Sequence, residues 1–164
     1  MATFTDNEIK RVLILIAMEA EAQPLLDKLK LMKKDKLCAF TEAVAYEGMY
    51  NGCEIALITN GKSVKFGVDN VGTVPAALSA YMGIEQFKPD LIINAGTAGG
   101  FKRHGCGICD AFISTSVYNH DRRIPIPGFT EYGKGDYSSI ACAKMVEVKE
   151  RKKKIICFFE RTSD

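Results

Sequence analysis

Two kinds of apolar pattern take turns along this chain. Arg11-Val-Leu-Ile-Leu-Ile-Ala17 is an unbroken β-branched and aliphatic run of strand length, the pattern of a strand covered on both faces. From Met18 to Leu31 the apolar residues Ala22, Leu25, Leu26 and Leu29 recur at intervals of three and four, with Glu19, Glu21, Asp27, Lys28 and Lys30 around the rest of the turn, which predicts an amphipathic helix. Pro24 falls in its first turns, where a missing N–H is tolerated. Ala39–Tyr50 and Cys53–Asn60 read as two strands joined by Asn51-Gly52, a dipeptide suited to a type I′ hairpin turn. Helical spacing returns over Val71–Phe87 through Val74, Leu78, Tyr81, Met82 and Ile84, with Thr73 as the expected N-cap and Lys88-Pro89-Asp90 as the stop. Leu91–Ala95 is a short buried strand running into Gly96-Thr97-Ala98-Gly99-Gly100, and Ala111–Val117 reads as one more strand. Alternation of strands with helices predicts a three-layer α/β fold.

Composition narrows the function classes. A net charge of +2, with acids and bases interspersed, supplies no field for nucleic acid or membrane lipid. Charged residues before position 12 and the shortness of the Val12–Ala17 run predict neither a signal segment nor a membrane span, so the expected compartment is the cytosol. Six scattered cysteines lack the density of a disulfide framework and are expected to be reduced. After about residue 145 the chain changes character: Lys149-Glu-Arg-Lys-Lys-Lys154 precedes Ile-Ile-Cys-Phe-Phe159, so residues 146–164 are read as an atypical basic and apolar tail following a domain over 1–145.

In α/β sheets, ligands bind beyond the carboxyl ends of the strands. Two such ends carry candidate chemistry. Ala17-Met18-Glu19-Ala20-Glu21 delivers two carboxylates directly after the first strand: either a general base or acids that merely favour the positive end of a helix dipole. Asn94-Ala-Gly-Thr-Ala-Gly-Gly100 allows close backbone approach to a ligand and offers the Thr97 hydroxyl, yet a tight turn without a ligand explains it as well. It has neither the Lys-Ser/Thr pair of a Walker loop nor dinucleotide-fingerprint spacing. Cys106-Gly-Ile-Cys109, with His104 before it, lacks a second ligand pair and is read as a loop with incidental thiols rather than a zinc site. His120-Asp121-Arg122-Arg123 fits either an anion-binding cluster or a solvated loop with local ion pairs.

Four segments together carry a resemblance. Leu-Ile-Ala-Met-Glu-Ala-Glu (15–21), Val-Gly-Thr-Val-Pro-Ala-Ala-Leu (71–78), Ile-Ile-Asn-Ala-Gly-Thr-Ala-Gly-Gly-Phe (92–101) and His-Asp-Arg-Arg-Ile-Pro-Ile-Pro (120–127) resemble, in order and spacing, the plant-type methylthioadenosine/adenosylhomocysteine nucleosidases of the purine nucleoside phosphorylase-like superfamily, over residues 11–137. The resemblance implies a three-layer α/β/α fold around a mixed central sheet, a homodimer, no metal and no organic cofactor. It implies a small nucleoside substrate, hydrolysed at its N-glycosidic bond to release adenine in methionine salvage. Carried over by position, Glu21 corresponds to the general base that activates water, with Ala17 and Met18 lining the same pocket. Thr97, Ala98 and Gly99 correspond to the loop contacting the nucleoside, and the segment carrying Pro125, Ile126 and Phe129 to a loop reaching a neighbouring site across the dimer.

The family's chemistry also needs an acid that protonates the leaving adenine, since base and acid must face each other across the bond. The resemblance places that acid on an Asp near the C-terminus and ribose binding on a Met-Glu pair before a small-residue helix. Neither motif occurs here, Met145-Val-Glu147 being the nearest look-alike, so the fold is expected to be incomplete at its C-terminus. Two further readings follow: a purine nucleoside phosphorylase, which expects a phosphate-binding Arg after the first strand where Met18-Glu19-Ala20-Glu21 stands, and a non-catalytic paralogue that binds adenine nucleosides or pairs with a full-length subunit.

Overall fold

A computed structural model describes residues 9–99, 101–104, 106–114, 116–119, 122, 124–135, 137–138 and the backbone of 157–160. It divides into two compact units, one ending at Thr97 and one running from Ala98.

The first unit is built on a five-stranded mixed sheet in the order β2-β3-β4-β1-β5, with β1 Arg11–Ile16, β2 Met32–Lys36, β3 Val44–Tyr50, β4 Cys53–Thr59 and β5 Leu91–Ala95. β1 lies inside the sheet, parallel to β4 on one side and β5 on the other. Parallel strands covered on both faces need no alternation, which is why β1 reads as a continuous apolar run. Helix α1 (Glu19–Leu29) and helix α2 (Thr73–Phe87) cover the two faces. Ala22 and Leu26 of α1 pack with Ile14, Ile16, Ile55 and Leu57. Leu13, Ala56, Ile58 and Ile92, the alternate positions of the same strands, meet Met82, Ile84 and Phe87 of α2. The buried face of α2 carries Ser79 and Gly83, and a Cβ at Gly83 would stand 2.7 Å from Leu13 and from Ile58, so only glycine lets this helix sit so close to the sheet.

The hairpin forms as expected, with Asn51 at φ 49° and Gly52 at φ 82°, both in the left-handed region that a type I′ turn requires. One strand is added and two expectations are corrected. The helix-to-hairpin stretch contains strand β2, antiparallel to β3 at the sheet edge; an edge strand tolerates the polar sequence Met-Lys-Lys-Asp-Lys that hides it from hydropathy reading. The strand expected from Ala39 begins only at Val44. Thr73 is the first helical residue of α2, not its cap; Gly72 takes the cap position, at φ 114°.

Asp90 does more than end the α2 connection. Its carboxylate Oδ2 accepts the Lys10 and Arg11 amides at 3.0 and 2.8 Å, Oδ1 pairs with the Arg11 guanidinium at 3.5 Å, and its own amide donates to the Arg11 carbonyl at 2.9 Å. The start of β5 is thereby tied to the start of β1. Burial pushes this carboxyl up, but the two amide donors and the Arg11 charge together outweigh it and hold it below its ordinary value of 3.8. A carboxyl depressed in the folded state stabilises above its unfolded pKa and loses that contribution as pH falls through the folded value. Chemical denaturation in steps from about pH 5 down to about pH 3 will show stability falling, and the Asp90→Asn variant will show a flatter profile across that interval. At neutral pH, with solvent screening allowed for, the substitution costs about 1 kcal/mol.

In the second unit, β6 (Ser116–Val117) and β7 (Tyr137–Ser138) form a short antiparallel ladder, with a 3-10 turn at Lys102–His104, helix α3 at Thr130–Lys134 and strand β8 at Cys157–Glu160. Of the strand expected over Ala111–Val117, the ladder takes only the last two residues. Except for β8, the 146–164 tail lies outside the described residues. Among the described residues no helix is long and apolar enough to cross a membrane.

Candidate active site

The three parallel strands β4, β1 and β5 end together, with Ile16 of β1 opposite Thr59 of β4, and Leu15 opposite Asn94 of β5. Each strand there gives way to a segment with polar side chains: α1 after β1, a loop from Asn60 after β4, and Gly96-Thr97 after β5. This is the edge where an α/β sheet places its ligand site.

Glu21 stands in the first turn of α1 and reaches across to the end of β5. Its Oε1 accepts two hydrogen bonds from one residue, the Thr97 amide at 2.8 Å and the Thr97 hydroxyl at 2.5 Å. Gly96 backs the carboxylate, where a Cβ would lie 3.5 Å from Oε2. Among the described residues no donor is bonded to Oε2. One oxygen is thus anchored by two donors while the other can accept a proton, the arrangement a positioned general base requires.

The second acid of the segment is used differently. Glu19 Oε2 pairs with Lys62 Nζ at 2.6 Å, and the Glu19 amide donates to Asp69 Oδ1 at 3.1 Å. Lys62 is held above its ordinary pKa by the hydrogen bond and the charge of Glu19. Tyr46 lies beside this pair, its hydroxyl pushed up first by burial and then by Glu19. The loop that supplies Lys62 and Asp69 is anchored beneath: Asn60 Nδ2 donates to the Asn70 carbonyl at 2.9 Å, and Asn60 Oδ1 accepts the buried Ser79 hydroxyl of α2 at 2.7 Å. Asn60, Ser79, Lys62 and Asp69 carried no signal in the sequence reading, because their partners lie 10 to 50 residues away.

The other expected positions are distributed as follows. Ala17 and the exposed Met18 join β1 to α1. Ala98 and Gly99 follow Thr97 and open the second unit, both exposed. Pro125, Ile126 and Phe129 lie on an exposed loop of that unit, which turns at Gly128 with φ 85° and closes through the Phe129 amide to the Ile126 carbonyl at 3.1 Å. Phe129 packs edge-to-face on Tyr132, over which the Arg122 guanidinium is stacked at 5.3 Å. His120, Asp121 and Arg123 lie outside the described residues, as do Gly100 and Met145–Glu147. Cys106 and Cys109 are free thiols, and among the described residues no three metal-ligating side chains come together.

An open trough of about 470 Å³ lies at the opposite end of the strands, lined by Arg11, Lys34, Glu47, Met49, Glu54 and Phe87 among others. Lys34 there pairs with Glu47 at 2.9 Å and Arg11 with Asp90, so both of these cations are answered within the fold.

A mixed sheet with a helix on each face is the nucleoside phosphorylase-like fold. The structure of a 5'-methylthioadenosine nucleosidase of Arabidopsis thaliana in its apo form superposes with a TM-score of 0.82 at 40% identity, over 90% of this chain and 61% of that one. The sequence profile of the phosphorylase superfamily matches residues 11–155, and the chain belongs to that family. It is 43% identical over 137 residues to a 5'-methylthioadenosine/S-adenosylhomocysteine nucleosidase of A. thaliana, covering 82% of this chain and 54% of the relative. A 5'-methylthioadenosine nucleosidase of the same plant is 45% identical over 129 residues, covering 77% and 48%. The chain thus spans about half the length of the curated relatives it matches.

Proposed function

We propose that this protein hydrolyses the N-glycosidic bond of 5'-methylthioadenosine, S-adenosylhomocysteine or both, releasing adenine, with Glu21 as the general base. The observation that carries this reading is the Glu21 carboxylate held by the Thr97 amide and hydroxyl, with its second oxygen available to water. In this role Oε2 takes a proton from the attacking water as its oxygen bonds to the ribose anomeric carbon; the bond to adenine breaks with its electrons leaving on the base, which takes its proton from solvent water, since the family's Asp motif does not occur among these residues. Ala17 and Met18 line the pocket beside it, and the Thr97-Ala98-Gly99 segment contacts the nucleoside. The relatives bear these substrates in their names. Hydrolysis is favoured over phosphorolysis because Met18-Glu19-Ala20-Glu21 follows β1 where a phosphorylase needs a phosphate-binding Arg, and Lys62, the cation brought there by the loop after β4, is engaged by Glu19. No cofactor enters the proposal, and the free thiols fit a cytosolic setting.

The assay is adenine release from methylthioadenosine by the purified chain beside Glu21→Gln. Turnover lost in the variant supports the hydrolase. Folded protein that binds adenine without turnover replaces it with the nucleoside-binding paralogue, and phosphate-dependent release replaces it with a phosphorylase.

The working form in this proposal is a homodimer, with the Pro125–Phe129 loop reaching a neighbouring site. An apolar stripe supports self-association: Val74, Leu78 and Tyr81 stand four and three residues apart along α2 and all face solvent. Leu78→Glu is expected to weaken the dimer at least about tenfold, read by sedimentation velocity over a dilution series, because it places a charge in an apolar contact.

A further inference from the structure

The first turn of α1, which carries Glu21, has no cap of its own. Met18 occupies the N-cap position with extended backbone and a side chain that makes no capping bond. The role is filled from the loop after β4, fifty residues away in sequence: Asp69 Oδ1 accepts the Glu19 amide, the first N–H of the helix, at 3.1 Å. Lys62 of the same loop holds the Glu19 side chain. The loop is itself closed: the backbones of Lys62 and Asp69 form an isolated antiparallel β-bridge, the Ser63 amide donates to the Val68 carbonyl at 2.8 Å, and the Asn70 amide donates to the Gly61 carbonyl at 2.8 Å. Below it, Asn60 and Ser79 fix the loop to α2. A continuous hydrogen-bonded path therefore runs from α2 through the loop to the residue two places before Glu21.

We infer that Asp69 is a positioning residue for Glu21: it caps α1 from outside the helix and, with Lys62, sets the rotation of the first turn that brings Glu21 Oε1 onto Thr97. The inference rests on the reading of Glu21 as the general base. A carboxylate suits the task because it faces the positive end of the α1 dipole and accepts a charge-assisted bond from the orphan amide. The Glu19–Lys62 pair alone leaves that amide unsatisfied and lets the first turn fray, and a displacement of about 1 Å at a catalytic base costs up to about a hundredfold in rate. Asp69 acts through the Glu19 amide and the position of Glu21, so its loss falls on turnover and not on substrate affinity.

The test uses the full chain as wild type, Asp69→Ala, Asp69→Asn and Glu21→Ala. Two readouts are taken: kcat and KM for adenine release from methylthioadenosine, and the amide resonances of Glu19 and Thr97 by two-dimensional NMR. In Asp69→Ala, kcat falls by between about 10- and 100-fold with KM changed less than about threefold, and the Thr97 amide moves toward its position in Glu21→Ala, which has no side-chain acceptor for it. Asp69→Asn, whose side-chain oxygen still accepts the Glu19 amide, recovers most of both. A folded Asp69→Ala protein with wild-type kcat and an unmoved Thr97 amide overturns the inference, as does an Asp69→Asn protein no better than Asp69→Ala. If wild type releases no adenine, the nucleosidase reading fails by itself, and the Thr97 resonance still decides whether Asp69 sets the Glu21–Thr97 contact.

Discussion

Glu21→Gln is expected to lower adenine release from methylthioadenosine by between about 10²- and 10⁴-fold, the range that loss of a positioned base produces. The substitution is close to isosteric, and its amide oxygen can still accept from the Thr97 amide and hydroxyl, so the α1-to-β5 contact persists. What it cannot do is accept a proton from water. The loss therefore falls on kcat, with KM little changed, and circular dichroism and the denaturation midpoint stay near wild type. Glu19→Gln serves as the comparison: its carboxylate is engaged by Lys62 and not by Thr97, so its loss acts only through the position of the first turn and stays below that of Glu21→Gln. Equal losses in the two variants would place the catalytic carboxylate elsewhere, and an undiminished Glu21→Gln would remove it from the mechanism.

That contrast between two acids in one helical turn marks how far the sequence could be read. Residue type and spacing locate Met18-Glu19-Ala20-Glu21 after a buried strand, but Glu19 and Glu21 look alike until their partners are known. The partners are non-local: Thr97 arrives from the end of β5, and Lys62 and Asp69 from the loop after β4. Legibility follows the same division across the fold. β1, the Asn51-Gly52 hairpin, α2 and β5 are written in local signals of apolar run, turn dipeptide and helical spacing, and they form where those signals lie. β2 is invisible because an edge strand paired on one side needs no apolar face, and Met32, Lys33 and Lys34 are all exposed. Asn60 passes as an ordinary turn residue, although it is buried and joins three segments through its side chain.

The largest structural penalty is expected at Gly61, where β4 turns into the loop that steadies α1. Its φ of 70° lies in the left-handed region, which disfavours any side chain. Space is the stronger constraint: a Cβ there would lie 1.7 Å from the Glu42 carbonyl oxygen and 2.4 Å from its carbon. Both are backbone atoms, so no rotamer change relieves the overlap, and either β4 or the segment entering β3 must move. Gly61→Ala is expected to cost more than about 2 kcal/mol in urea denaturation, against about 1 kcal/mol for Gly52→Ala, whose φ is 82° but whose Cβ would meet nothing within 4 Å. The pair separates conformational cost from collision, and similar values would show that the segment before β3 yields freely. A functional difference follows from position. Gly61 adjoins Asn60 and Lys62, so in protein that remains folded its substitution also loosens Asp69 from the Glu19 amide and lowers kcat, whereas the hairpin turn at Gly52 touches neither and leaves turnover unchanged.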